Sequence, residues 1–141
     1  MPEFAMESVL KISDAANLAI HAMGHIAVAG PDRSHSVAEI SSLQGVSEAH
    51  LSKVMQRLVK AGLLTSRRGP GGGFVLGRSA DAITLLDIFE AIDGPIGTET
   101  CLFARETCLF KGCALGGLMR KLNRQVKEFF ASRRLSEFRP A

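Results

Sequence analysis

The 141-residue chain lacks any long unbroken apolar run: the stretch from Val9 to Ala29 is interrupted by Lys11, Asp14, His21 and His25. Neither a membrane-spanning helix nor a secretory signal fits it, and no cleavage-type region follows, so the chain is expected in the cytoplasm with no membrane partner. No nucleophile, general base and orienting group occur together, which predicts that the protein is not an enzyme. The glycine run Gly69-Pro-Gly-Gly-Gly73 has no Lys-Ser/Thr after it and no G-x-G-x-x-G spacing. Strand-like residues follow where a phosphate-binding helix should start, so a mononucleotide site is not supported. Histidine is absent after His50, internal repeats are absent, and cysteine is confined to one short stretch.

What is present is ordinary globular material. Hydrophobic residues make up 46% and charged residues 22%, enough for one small core and against disorder or low complexity. Met1 to Ala5 read as a vector-derived leader before a natural start at Met6. The formal net charge is only +3, but it is segregated. Residues 33–78 hold seven Lys/Arg against two acids, 79–110 one against six, and 111–141 eight against two. A basic middle section suits a polyanion, because each neutralised phosphate releases counterions. The same pattern also describes a solvated face.

From Ile12, the positions Ala15, Ala16, Ala19, Ile20, Met23, Ile26 and Ala27 recur at helical spacing, with Ser13 and Asp14 as caps and Gly30-Pro31 as the stop. Ser36-Val-Ala-Glu39 is a capping box opening a second helix that runs to about Gln44. Gly45 breaks it, Ser47 caps a third, and Leu51, Val54, Met55, Leu58 and Val59 continue to Gly62. Leu63–Ser66 and Phe74–Leu76 flank a turn-rich basic connection and predict a hairpin. A helix-turn-helix followed directly by a basic hairpin defines a mainly α fold with a small β wing, the winged helix-turn-helix. Ile83–Gly94 predicts a further helix with a Thr84/Asp87 cap. Leu115, Leu118, Met119, Leu122, Val126, Phe129 and Phe130 form one stripe of a long C-terminal helix. That stripe must be buried against the chain's own first helix or against a second copy, the latter giving a two-fold dimer. The expected division is residues 6–80 for DNA binding, with helix one also packing on the C-terminal helix. Residues 81–141 supply the linker helix, the cysteine loop and dimerisation.

In this arrangement the start of the third helix faces the major groove, singling out Glu48, Ala49, Ser52 and Lys53. Lys53 suits guanine acceptors or a phosphate, Ser52 either partner, and Ala49 a thymine methyl. His50 and Arg57 are placed on the phosphate backbone. Arg67 and Arg68, with Gly71 and Gly72 at the tip, suit a phosphate backbone or a narrow minor groove. His21 and His25, four residues apart, read as packing or surface rather than as ligands.

The cysteines Cys101, Cys108 and Cys113 are spaced C-x6-C-x4-C, and an odd number argues against a closed disulfide set. Three thiolates favour zinc or an iron–sulfur cluster, although no standard zinc spacing is present. Buried small hydrophobes and metal-free reactive thiols are the other readings. An RNA-binding or protein-interaction winged helix is the remaining functional class.

The segments Leu10–Met23, Arg68–Gly77 and Ile83–Gly94, with the three-cysteine stretch, resemble the Rrf-two family of bacterial transcription regulators over about residues 8–138. The resemblance implies a homodimer crossed by the long C-terminal helix and winged helices on a palindromic double-stranded DNA operator. In cysteine-bearing members it implies a sensory iron–sulfur cluster. It makes Cys101, Cys108 and Cys113 ligands of a 2Fe-2S or 4Fe-4S cluster that need not survive purification, and it turns Ser52, Lys53 and Arg68 to DNA. The position matching an acidic fourth ligand in some relatives is Asn17, with Asp14 nearby, contributed by the partner subunit. The spacing departs from the common C-x5-C-x5-C form.

Overall fold

The computed structural model describes residues 12–97, 110–112, 114 and 117–141. The three cysteines, Leu115 and residues 1–5, expected to be a leader, lie outside them. Among the described residues, five α-helices and one hairpin follow in the order α1 Asp14–Ala29, α2 Val37–Gln44, α3 Glu48–Lys60, β1 Leu64–Arg67, β2 Gly73–Leu76, α4 Leu85–Asp93 and α5 Leu118–Ser132, with short 3₁₀ turns at Ala80–Ala82 and Leu135–Glu137.

The helix starts are set by side-chain acceptors that satisfy otherwise free backbone donors, each contributing about 1 kcal/mol. Ser13 Oγ accepts from the Ala16 N–H at 3.0 Å, Ser36 Oγ from Glu39 and Ser47 Oγ from His50, both at 3.1 Å. At α4 the box closes both ways: Asp87 N–H donates to Thr84 Oγ1 at 3.1 Å and Thr84 N–H to Asp87 Oδ2 at 2.9 Å. The box expected at Ser36 is only half formed, because the Glu39 carboxylate is taken by Arg33 instead of reaching back to the cap. Gly45, at φ 65°, adopts the left-handed geometry that lets α2 stop and α3 leave at a sharp angle.

One continuous core joins the elements: Ala16, Ala19, Ala22, Met23 and Ile26 of α1, Ile40 of α2, Leu51, Val54, Met55 and Leu58 of α3, Phe74 of the hairpin, Ile83, and Ile88 and Ile92 of α4. Each large aliphatic side chain fully buried there contributes about 1.5–3 kcal/mol. The cluster extends past residue 80 and includes Leu135 at the far end of the chain.

The strands sit one residue later than expected for β1 and one earlier for β2, because Leu63 is spent leaving α3: its N–H donates to Leu58 O and its carbonyl accepts from Gly77. The helix α5 rests mainly on α4, with the rings of Phe130 and Phe89 5.7 Å apart and tilted by 60°. None of the residues of α5 is buried within the chain, and Leu118 and Phe129 are 45% and 51% exposed. What reaches α1 is the segment after α5. Leu85 N–H donates to Arg133 O at 3.0 Å, Leu135 N–H to Ile83 O at 2.8 Å, and the ring of Phe138 covers Gly24, where a Cβ would sit 3.1 Å from it. Among the described residues no helix is long and apolar enough to cross a membrane.

Candidate nucleic-acid interface

The amphipathic helix α3 buries Leu51, Val54, Met55 and Leu58 and turns its other side outward. Glu48, Ala49, His50 and Lys53 are exposed on its first turns, and Ser52 is half-buried at the edge of the core. The exposed stripe continues at helical spacing through Gln56 and Lys60, two positions missed in the sequence, where polar residues beyond the first turn carry no motif. Arg57, expected on the phosphate backbone, is exposed, and its guanidinium donates to the carbonyl oxygen of Ile92 in α4.

The wing pairs Leu64 with Leu76 and Arg67 with Gly73 in an antiparallel ladder, leaving Arg68–Gly72 as its tip. Arg67, Arg68 and Gly71 are exposed, and Gly72 is half-buried. Lys53, Arg67 and Arg68 form no salt bridge with another described residue, so their charge is available to an external anion. Gly72 is required by close approach: a Cβ there would lie 2.5 Å from Arg67 O and 2.7 Å from Gly69 O.

The wing is fastened to the loop between α1 and α2, a connection invisible in the sequence. His35 N–H donates to Phe74 O at 3.0 Å and Phe74 N–H to His35 O at 2.7 Å, a single-residue bridge that extends the hairpin. Ser34 Oγ donates to Gly71 O nearer the tip. Gly73, at φ 148°, lies so close that a Cβ would come within 2.4 Å of His35 O.

The exposed side of α1 holds Asp14, Asn17 and His21. They line an open groove of about 550 Å³ with His25, Leu43, Gln44 and His50. Among the described residues no group of three or more His, Cys, Asp or Glu is placed to hold a metal ion.

A helix-turn-helix whose second helix offers a polar face, followed by a basic hairpin, defines a winged-helix DNA-binding regulator. The Rrf2 family model, described as an iron-dependent transcriptional regulator, matches residues 12–139, and the chain belongs to that family. It is 32% identical over 129 residues to the HTH-type transcriptional regulator IscR of Xenorhabdus nematophila and equally to that of Erwinia tasmaniensis, covering 91% of this chain and 78% of each relative. Among solved structures, CymR (YrzC), the global cysteine regulator of B. subtilis, overlays with a TM-score of 0.78 at 31% identity, covering 91% of this chain and 95% of that one. IscR from T. potens overlays at 0.73 with 26% identity, covering 92% and 85%. These relatives are transcriptional regulators, not enzymes.

Proposed function

We propose that the protein is a homodimeric regulator in the cytoplasm whose two winged helices hold a palindromic duplex operator. Its Cys101, Cys108 and Cys113 carry an iron–sulfur cluster that reports redox, iron–sulfur or nitric oxide status. Residues 6–80 form the DNA-binding part, and residues 81–141 the linker helix, sensing loop and dimer helix. The observation that carries the dimer is the stripe Leu118, Met119, Leu122, Val126, Phe129 and Phe130 on a helix with no buried residue. Apolar surface aligned along a helix and left partly in water supports burial against a second copy. Leu115, which the sequence assigns to the same stripe, lies outside the described residues. Glu48, Ala49, Ser52 and Lys53 read the groove, His50 touches the backbone, and Arg67, Arg68, Gly71 and Gly72 follow the adjoining phosphates or minor groove.

Three thiolates are the soft donor set that iron–sulfur clusters use. Asn17 and Asp14, exposed on α1, are accessible as a fourth donor from the partner subunit. When bound, a 2Fe-2S or 4Fe-4S cluster supplies one-electron chemistry and reactivity toward oxidants and nitric oxide. Anaerobic purification tests the assignment: a brown protein containing iron and sulfide with visible absorption is expected, and a colourless protein containing neither overturns it.

The overlay on the cysteine regulator favours a second reading, a metal-free regulator controlled through its thiols or through a partner protein. DNA binding that responds to oxidant or to such a partner in iron-free protein distinguishes it. Competition between the operator, a random duplex and RNA at one stated salt concentration tests the duplex preference itself.

A further inference from the structure

His35 is an ionisable residue buried at the point where the wing is fastened: it is 3% exposed, in a loop of otherwise accessible polar residues. Its backbone makes both hydrogen bonds of the bridge to Phe74. Its Nδ1 lies 3.6 Å from Glu39 Oε1, and its Nε2 is buried with no hydrogen-bond partner among the described residues. We propose that His35 is a positioning residue for the wing, and that a second proton on its ring opens the bridge between the α1–α2 loop and β2. This rests on the reading that the wing meets DNA only for its effect on affinity; the opening itself does not.

The chemistry follows from the two ring nitrogens. A neutral ring that carries its proton on Nδ1, toward Glu39, leaves Nε2 as a bare acceptor in a buried site. An imidazolium must place a second N–H at Nε2, where burial supplies no acceptor. Glu39 of α2 favours the charged ring, but its carboxylate is already engaged by Arg33 of the loop. Arg33 and His25 of α1 both oppose a further positive charge. On the wing, β2 contributes no titratable side chain, and the charges of β1 and the tip, Arg67 and Arg68, are positive. Burial therefore outweighs Glu39 and holds the imidazole below its ordinary value of 6.5. The charged ring is relieved by leaving its site, and the backbone pair with Phe74 belongs to the same residue. The sign is fixed: the bridge is intact at and above ordinary histidine values and weakens as pH falls through the lowered one.

The test follows amide hydrogen exchange of His35 and Phe74 at about pH 7.5 and about pH 5.5, as protection factors against Met23 in the core. In the wild-type chain both amides are expected to lose protection about tenfold relative to Met23 on acidification, while His35→Leu and His35→Gln hold theirs. Unchanged wild-type protection, or equal loss in all three proteins, overturns the proposal. Should one variant fail to fold, the other and a direct NMR titration of the His35 ring keep it testable; a ring titrating at or above the ordinary histidine value also overturns it. A duplex selected from a random pool by the wild-type protein near neutral pH serves as the DNA probe. Its affinity should fall with acid for the wild type and stay level for the variants. If the amides respond as expected while no duplex binds at any pH, the DNA reading fails and the bridge assignment stands.

Discussion

Arg57 of α3 donates from its guanidinium to the backbone carbonyl of Ile92, in the last turn of α4. The final carbonyls of a helix have no intrahelical donor and carry the negative end of its dipole, so a cation there satisfies both needs. The contact ties α3, the proposed reading helix, to the helix that supports α5 through Phe89 and Phe130.

Arg57→Ala should therefore cost about 0.5–1.5 kcal/mol of stability, visible as a lowered Tm. The slope of log affinity against log salt should be unchanged. A slope reduced by about one, with Tm unaltered, would return Arg57 to the phosphate backbone.

Gly73→Ala places a methyl group against His35 O in a backbone conformation that side chains avoid. A loss of about 1–3 kcal/mol is expected in thermal melts, together with weaker duplex binding. A variant with the wild-type Tm would show that the loop and wing separate without cost.

Lys53→Ala separates two roles of one exposed side chain. If Lys53 reads a base, preference at one operator position relaxes by about 1–3 kcal/mol while other positions keep theirs. Selection from a random pool by both proteins measures it, and a uniform loss across sequences makes Lys53 a phosphate contact.

Replacing Leu118 and Phe129 together by Glu puts charge on a face that the protomer leaves half in water. Secondary structure should survive, sedimentation should show a monomer, and operator affinity should collapse because two half-sites no longer act as one. A double variant that still sediments as a dimer removes α5 from the interface.

Cys108→Ala should abolish any response of DNA binding to oxidant or nitric oxide and leave the melting curve close to wild type. A retained response would transfer the sensing role away from this thiol.

Most of the fold was legible because its signals are local. Ser13, Ser47 and Thr84 each cap the helix their position predicted, and Gly45 makes the turn that identifies the helix-turn-helix. The apolar spacing on α3 told the inward face from the outward one. What escaped prediction is non-local and rests on single residues. Nothing in the spacing around His35 announces that its backbone extends a hairpin formed from residues 64–76. Arg57 has a basic side chain at a surface position, which reads as a phosphate contact, and its hydrogen bond to the end of α4 joins segments 35 residues apart that no local spacing relates. Glu39 was the right residue for a capping box, but Arg33 outcompetes the cap for its carboxylate. The return of Leu135 and Phe138 to the core follows a charged helix and carries no periodicity of its own.

That return gives α5 unequal ends. Past Ser132 the chain is stitched to Ile83 and Leu85 and its last ring is wedged over Gly24, whereas the helix begins at Gly117 on a residue that offers no side-chain cap. On the proposed dimer, a helix held past Ser132 would turn a small angle near Gly117 into a lateral displacement along the shared face.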